Sequence, residues 1–242
     1  SAFHYAQKLI QQGADILDIG GESSRPGSKS VSIKEEIKRV IPIIRQLNKK
    51  CSIPISIDTY KSEVAQAALD EGAVIVNNIR GARPDKKLLK MVKNTQAAIV
   101  LMHMRGTPQT MQKNIRYQNV IQDILHSLRR SIEICLEIGI KSDKILIDPG
   151  IGFGKTVEHN LEIIHQLEKF QKLNQPILIG PSRKSFIGQI LNVPVDQRLF
   201  GTIAVCCVCA IKGAHILRVH DVKAVKEAVT MVTSINNQKN TP

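Results

Sequence analysis

Seven short apolar runs, each closing on a polar residue and most followed by a stretch of helical periodicity, constrain this chain more than any other feature. They occupy residues 15–20, 53–59, 74–79, 97–103, 144–150, 176–180 and 214–220. Side chains capable of chemistry sit at or just past their downstream ends: Glu22 and Arg25, Asp58, Asn77, His103, Asp148, Lys184, then Arg218 and His220. Strand followed by helix, repeated, implies parallel pairing, because parallel strands are joined by crossover connections. The runs are near-continuously apolar rather than alternating, as suits a sheet covered on both faces. In a closed parallel barrel every strand opens its carboxyl end onto one face, so residues scattered along the chain converge there. An open doubly wound sheet would gather a ligand at a switch point from few strands. Polar ends on nearly every run favour the α/β class and, within it, the (β/α)8 TIM barrel.

The helical patterns between the runs support this order. Residues 32–48 place Ile33, Ile37, Val40, Ile41, Ile44 and Leu47 near the helical period, with Glu35 and Glu36 at the start. Residues 61–71, 84–94 and 120–138 read the same way, the first stopping at Gly72 and the last at Gly139. At 242 residues the chain matches a single barrel of about 250. We therefore expect one domain over residues 1–235 and a polar C-terminal tail over 236–242.

Composition excludes several classes of function. Aromatic residues make up 3% of the chain and Trp is absent, which argues against base-stacking surfaces and a nucleic-acid partner. Lys and Arg number 34 against 21 Asp and Glu, a net charge of +13. The excess is spread over helices, as at Lys38, Arg39, Lys49, Lys50, Arg129 and Arg130, and solvated helix faces account for it. Five cysteines, an odd and sparse number, fit a reducing, cytoplasmic compartment. Cys206, Cys207 and Cys209 lie in an apolar helical segment without zinc-site spacing. Residues 1–12 lack the basic start and apolar core of a signal peptide. The longest apolar run, 203–211, ends at Lys212, short of the roughly 20 residues that span a bilayer, so no membrane partner is expected.

The sharpest motif is Asp148-Pro149-Gly150-Ile151-Gly152-Phe153-Gly154-Lys155 after the run ending at Ile147. A phosphate-loop reading fails on spacing, because Pro149 stands where that loop needs its first glycine and lacks an N–H. A carboxylate at this point suits the paired N–H donors of a heterocycle such as an aminopyrimidinone. The loop of residues 20–28 carries hydroxyls and Arg25, which can grip a phosphate bidentately. Ser182-Arg183-Lys184-Ser185 brings two cations and two hydroxyls to an expected helix start and suits an anion, with a Ser-capped helix as the structural alternative. Strand alternation would place Arg218 and His220 on one face. Asp58 and Asn77 end their runs either as ligand groups or as helix caps, and Thr59 competes with Asp58 for the capping role. His103 is expected to be packed rather than catalytic.

Residues 19–27 (Ile-Gly-Gly-Glu-Ser-Ser-Arg-Pro-Gly), 56–59 (Ser-Ile-Asp-Thr), 76–79 (Val-Asn-Asn-Ile), 148–155, 182–185 and 218–221 (Arg-Val-His-Asp) together resemble the dihydropteroate synthase family. The resemblance runs in order through residues 13–221 and implies a barrel that condenses 6-hydroxymethyl-7,8-dihydropterin pyrophosphate with p-aminobenzoate, a transferase reaction of folate biosynthesis assisted by Mg²⁺ and blocked by sulfonamides. It implies that Asp58, Asn77, Asp148 and Lys184 contact the pterin, with Phe153 also in the substrate site. Ser24, Arg25, Arg218 and His220 would face the pyrophosphate, with Pro26 and Ser185 near p-aminobenzoate. Asp58, Lys184, Arg218 and His220 are the implied catalytic set, and no protein ligand to a metal is assigned. The family is commonly a homodimer, here through apolar late helices such as residues 202–211. Two departures accompany the resemblance: Asn78 stands where the family has Asp, and the family's first strand with its following loop has no counterpart ahead of Ser1. A pterin-dependent methyltransferase domain and a pterin-binding barrel without turnover are the alternatives.

Overall fold

Each of the seven apolar runs forms a parallel strand. The computed structural model describes residues 2–23, 27–80 and 86–238. Its strands are β1 (Leu17–Gly20), β2 (Ile55–Asp58), β3 (Ile75–Asn78), β4 (Ala98–Met102), β5 (Ile145–Asp148), β6 (Leu178–Ile179) and β7 (Ile216–Leu217). The first five pair in sequence order, and β6 pairs with β7. A single parallel bridge between Ile147 and Ile177 joins the two groups. Consecutive parallel pairing with a helix after nearly every strand is the (β/α) barrel order, here an arc of seven strands. Among the described residues no ladder joins β7 to β1.

Nine α-helices accompany the strands among the described residues: α1 (Ala2–Gln11), α2 (Ile33–Lys50), α3 (Ser62–Asp70), α4 (Lys86–Thr95), α5 (Val120–Ile138), α6 (Val157–His165), α7 (Ser185–Leu191), α8 (Leu199–Ile211) and α9 (Val222–Asn237). Their limits follow local chemistry. The Ser32 side chain accepts the Glu35 N–H and starts α2, and Asn119 does the same for α5 through Gln122. Gly139 ends α5 at φ 94°, in the left-handed region that glycine enters without a Cβ penalty. The core lies between arc and helices: Ile55, Ile57, Ile99 and Leu101 from strands pack with Ile44, Leu47, Leu88, Leu89, Ile121 and Ile124 from helices, all under 2% exposed. Both faces of β4 are covered, as its unbroken apolar sequence implies.

Three expectations are corrected. Neither Asp58 nor Thr59 caps α3, which begins after Lys61 without a side-chain cap; Thr59 instead accepts the Lys61 N–H at 3.2 Å in a local turn. No serine side chain caps α7, whose N-cap is Lys184. The polar segment 236–242 is not wholly a tail, since Asn236 and Asn237 complete the last turn of α9; its exposed position lets polar residues continue the helix. Residues 239–242 lie outside the described residues.

Ile57→Ala, in a strand with no exposed neighbour on either side, should destabilise the fold by about 2–5 kcal/mol, read as a lower urea midpoint with an unchanged m-value.

Candidate active site

The register of the arc sets polar ends side by side. Gly20 pairs with Asp58, Asp58 with Asn77, and Met102 with Asp148. Across the open side of the arc, the Arg218 side chain reaches back from the end of β7. Its Nε donates to Asp18 Oδ2 at 2.5 Å and its Nη2 to Asp58 Oδ2 at 2.9 Å. The Asn77 amide donates to the same Asp18 oxygen at 3.2 Å. Burial, then the neighbouring Asp18 carboxylate, pushes the Asp58 carboxyl up to about 7 against the pull of Arg218. Burial opposes the charge on Arg218, but the two carboxylates outweigh it and hold the guanidinium above its ordinary value.

Asp18 escaped the sequence reading. The available signal was its position: a carboxylate inside the apolar run Leu17-Asp18-Ile19 must face something polar. The other oxygen of Asp18, Oδ1, is buried without a hydrogen-bond partner.

Asp148 lies deeper, 7% exposed, and accepts the Gly150 N–H at 2.7 Å. Burial raises its carboxyl, with the Gly150 N–H, Lys184, Lys155 and Arg218 pulling the other way. Gly150 has φ +75°, and a Cβ there would run into the His103 carbonyl oxygen, so the β5–α6 loop sits backbone against backbone on the end of β4. From the other side the Lys184 ammonium stands 4.0 Å over the Phe153 ring, a cation–π contact. Asp148, Phe153 and Lys184 thus share one corner of the pocket. His103 is buried, as expected; burial, then Lys155 and Arg105, depress its imidazole to about 2, and it stays neutral.

The loops after β6 and β7 are fastened to each other. His220 donates its backbone N–H to Ser182 Oγ at 3.2 Å, and its Nδ1 lies 2.9 Å from the same hydroxyl. Arg183, in the left-handed region at φ 55°, makes two bonds of 2.8 and 2.7 Å to Asp221. The Arg183 guanidinium of the expected anion loop is thus paired within the protein, across to the loop after β7. The pairing holds the Asp221 carboxyl below the usual carboxylate range. Strand β7 ends at Leu217, so alternation does not govern Arg218 and His220: one turns to the carboxylates and the other to Ser182. Ser185 opens α7 and is exposed. Asn78, the departure from the family pattern, is buried and accepts the Arg80 N–H at 2.9 Å, which fixes the turn after β3.

Glu22 also differs from its sequence reading as a chemical group. Lys61 Nζ donates to Glu22 Oε2 at 2.6 Å, to Glu36 Oε2 at 2.6 Å and to the Val31 carbonyl at 2.5 Å. Glu22 further accepts the Val31 N–H at 2.8 Å and the Tyr60 hydroxyl at 3.0 Å. Burial alone would raise its carboxyl, but these donors bring it below the ordinary value. The network ties together the two ends of the loop that carries Ser24, Arg25 and Pro26, which themselves lie outside the described residues.

Asp58 and Asn77 end neighbouring strands, and Lys184 and Arg218 act on both the Asp58 and the Asp148 carboxyls, an arrangement suited to a donor-rich heterocycle with an anionic substituent. Among the described residues no three His, Cys, Asp or Glu side chains come together to hold a metal ion. Asp18 and Asp58 each give one carboxylate oxygen to Arg218. No helix among them is long and apolar enough to cross a membrane.

Residues 1–220 match the family of pterin binding enzymes. The chain is 46% identical over 228 residues to the dihydropteroate synthase of Synechocystis sp., covering 94% of this chain and 79% of that protein. It is 41% identical over 238 residues to the dihydropteroate synthase of Escherichia coli K12, covering 98% and 84%. Among solved structures, the Yersinia pestis dihydropteroate synthase in a sulfonamide complex superposes with a TM-score of 0.95 at 39% identity, covering 98% of this chain and 86% of the other. The Clostridium difficile dihydropteroate synthase crystallised with pteroic acid gives 0.91 at 41% identity, covering 97% and 87%.

Replacing Lys61 by Met strands two carboxylates, of which the Glu36 side chain is 1% exposed, and should destabilise the protein by about 3–5 kcal/mol, measured by urea unfolding at pH 7.

Proposed function

The chain belongs to the dihydropteroate synthase family of pterin binding enzymes, transferases of folate biosynthesis, and we propose that its pocket condenses 6-hydroxymethyl-7,8-dihydropterin pyrophosphate with p-aminobenzoate and releases pyrophosphate. The observation that carries this reading is the convergence of Asp58, Asn77 and Asp148 with Lys184 and Arg218 at one mouth of the arc. In it, Asp148 accepts the paired N–H donors of the pterin ring, Asn77 contributes its amide, and Lys184 over Phe153 closes the ring's other edge. Arg218 and His220, with Ser24 and Arg25, face the pyrophosphate. Ser185 and Pro26 border the p-aminobenzoate, in the space a sulfonamide would take.

The carbon–oxygen bond to pyrophosphate breaks first and its electron pair leaves with the pyrophosphate. The Asp58 carboxylate stabilises the positive charge left on the pterin methylene. The aryl amine then attacks that carbon, the carbon–nitrogen bond forms, and the amine loses a proton to solvent. Mg²⁺ belongs to this reading as the counter-ion that comes with the pyrophosphate, in line with its preference for substrate phosphates over all-protein cages.

Mixing the purified protein with both substrates and Mg²⁺ should release pyrophosphate in step with dihydropteroate. Binding of the pterin without release would favour a barrel that binds and does not turn over, and absence of binding would overturn the reading. Asp58→Ala should lower kcat by about 10²–10³-fold, the scale of one electrostatic stabiliser, with a smaller change in KM. Because the ionised Asp58 is the working form and its carboxyl is held near 7, kcat/KM should fall as pH drops below about 7 and level off above it.

We further place the protein in the cytoplasm as a homodimer. All five thiols are free, which supports a reducing compartment. Helix α8 leaves Phe200 81% exposed and α9 leaves Met231 and Ile235 exposed at 62% and 63%, apolar surface that a second copy would cover. Light scattering should give twice the chain mass, and Phe200→Asp should shift it to the monomer.

A further inference from the structure

The segment 103–119, which joins β4 to α5, lies against the β5–α6 loop along most of its length. Close approach is possible because of the loop's glycines. A Cβ on Gly154, at φ +64°, would meet the Arg105 carbonyl oxygen of the crossing segment at 2.7 Å, and one on Gly152, at φ +80°, would meet the Lys184 side chain at 3.1 Å. Phe153 stands between these two glycines, and its ring carries the Lys184 ammonium at 4.0 Å. A Gly-Phe-Gly stretch has wide backbone freedom of its own, so the place of that ring depends on what holds the glycines.

Three consecutive carbonyls of the loop each accept a side-chain donor. Gln112 Nε2 donates to the Gly152 carbonyl at 3.0 Å, Lys155 Nζ to the Phe153 carbonyl at 3.0 Å, and the Tyr117 hydroxyl to the Gly154 carbonyl at 2.9 Å. On the α6 side, Asn160 Oδ1 accepts the Gly152 N–H at 2.7 Å. Gln112 and Tyr117 thus reach from one segment to the residues on either side of Phe153.

Both donors are themselves held. The Tyr117 ring meets His159 edge-on with centroids 5.0 Å apart, and the Arg105 guanidinium lies 4.8 Å from its centre. Burial pushes the phenol up to about 12, so the hydroxyl keeps its proton and remains a donor. Met111, next to Gln112, is 3% exposed and packs with Ile79, Met102 and Phe153 in a small apolar cluster apart from the main core. The segment is therefore anchored by packing as well as by its hydrogen bonds.

We propose that Gln112 and Tyr117 are positioning residues for the reaction: by holding the glycine carbonyls on either side of Phe153, they set its ring under Lys184 and so set the wall that receives the pterin. The inference rests on the assignment of Phe153 and Lys184 to the pterin. Neither donor acts on the substrate directly; each acts through the Phe153 ring. A hydroxyl that served the fold alone would change stability and leave the affinity of the folded protein as it was.

The test is a double-mutant cycle on the Kd for 6-hydroxymethyl-7,8-dihydropterin pyrophosphate with Mg²⁺, measured by isothermal titration calorimetry at one fixed pH. Its corners are the wild type, Tyr117→Phe, Phe153→Leu and the double variant. Tyr117→Phe should weaken binding by about three- to tenfold where Phe153 is present, the scale of one neutral hydrogen bond. In the Phe153→Leu background the same change should cost less than about twofold, because the ring it positions is gone. An equal factor in both backgrounds, or no change where Phe153 is present, overturns the proposal. Gln112→Met, at an exposed side chain, carries the same comparison if Tyr117→Phe does not fold. A wild-type protein that binds no pterin pyrophosphate overturns the functional reading, and the proposal with it.

Discussion

One guanidinium spans the gap that backbone hydrogen bonds leave open. Strands β1 to β5 are held by ladders and β6 is tied to β5 by one bridge, but β7 and β1 meet only through side chains among the described residues. Arg218 takes Asp18 with one nitrogen and Asp58 with another, so first and last strands are joined at the mouth where the chemistry lies. At the opposite end Lys226 of α9 bonds the Gly13 carbonyl and Asp15. The exposed pair below contributes little by itself. The pair at the mouth is partly desolvated, and removing one member leaves buried charge behind. Closure of the arc and construction of the site are thus a single event.

The same economy appears in the loops. Ser182 and Arg183 precede Lys184, while His220 and Asp221 follow Arg218, and two side-chain links join the pairs. The groups assigned to the pterin and to the pyrophosphate therefore move together. Arg183 holds its left-handed backbone because Thr202 accepts its N–H and Arg198 donates to its carbonyl. Such strain persists only where surroundings fix it, and here it lies between Ser182, which meets His220, and Lys184, which meets Phe153.

Much of this was legible in the sequence, and the rest was hidden for identifiable reasons. All seven runs form strands because a doubly covered parallel strand has a plain signature, an unbroken β-branched stretch. Asp58, Asn77 and Asp148 could be placed because strand ends converge in a barrel. Asp18 was passed over because it sits inside a run, where only three-dimensional pairing reveals a partner 200 residues away. Glu22 and Arg183 looked chemical from their loops, yet each has its own buried or half-buried partner. Sequence spacing cannot distinguish a cation awaiting a ligand from one already matched to a distant carboxylate. The ends of β7 and the capping of α3 were misjudged because two-residue strands and uncapped helices carry almost no local signal.

The charge arrangement of the pocket has a directional consequence. The carboxyls of Asp58 and Asp148 are both acted on by the cations Lys184 and Arg218, so the pocket is lined by groups of both signs. In such a lining a polar uncharged ring exchanges its water for fixed acceptors at little electrostatic cost. On the reading proposed above, the ring of the substrate meets Asp148 and Lys184 while its phosphates meet Arg218 and His220. The distribution of charge then gives the site a front and a back.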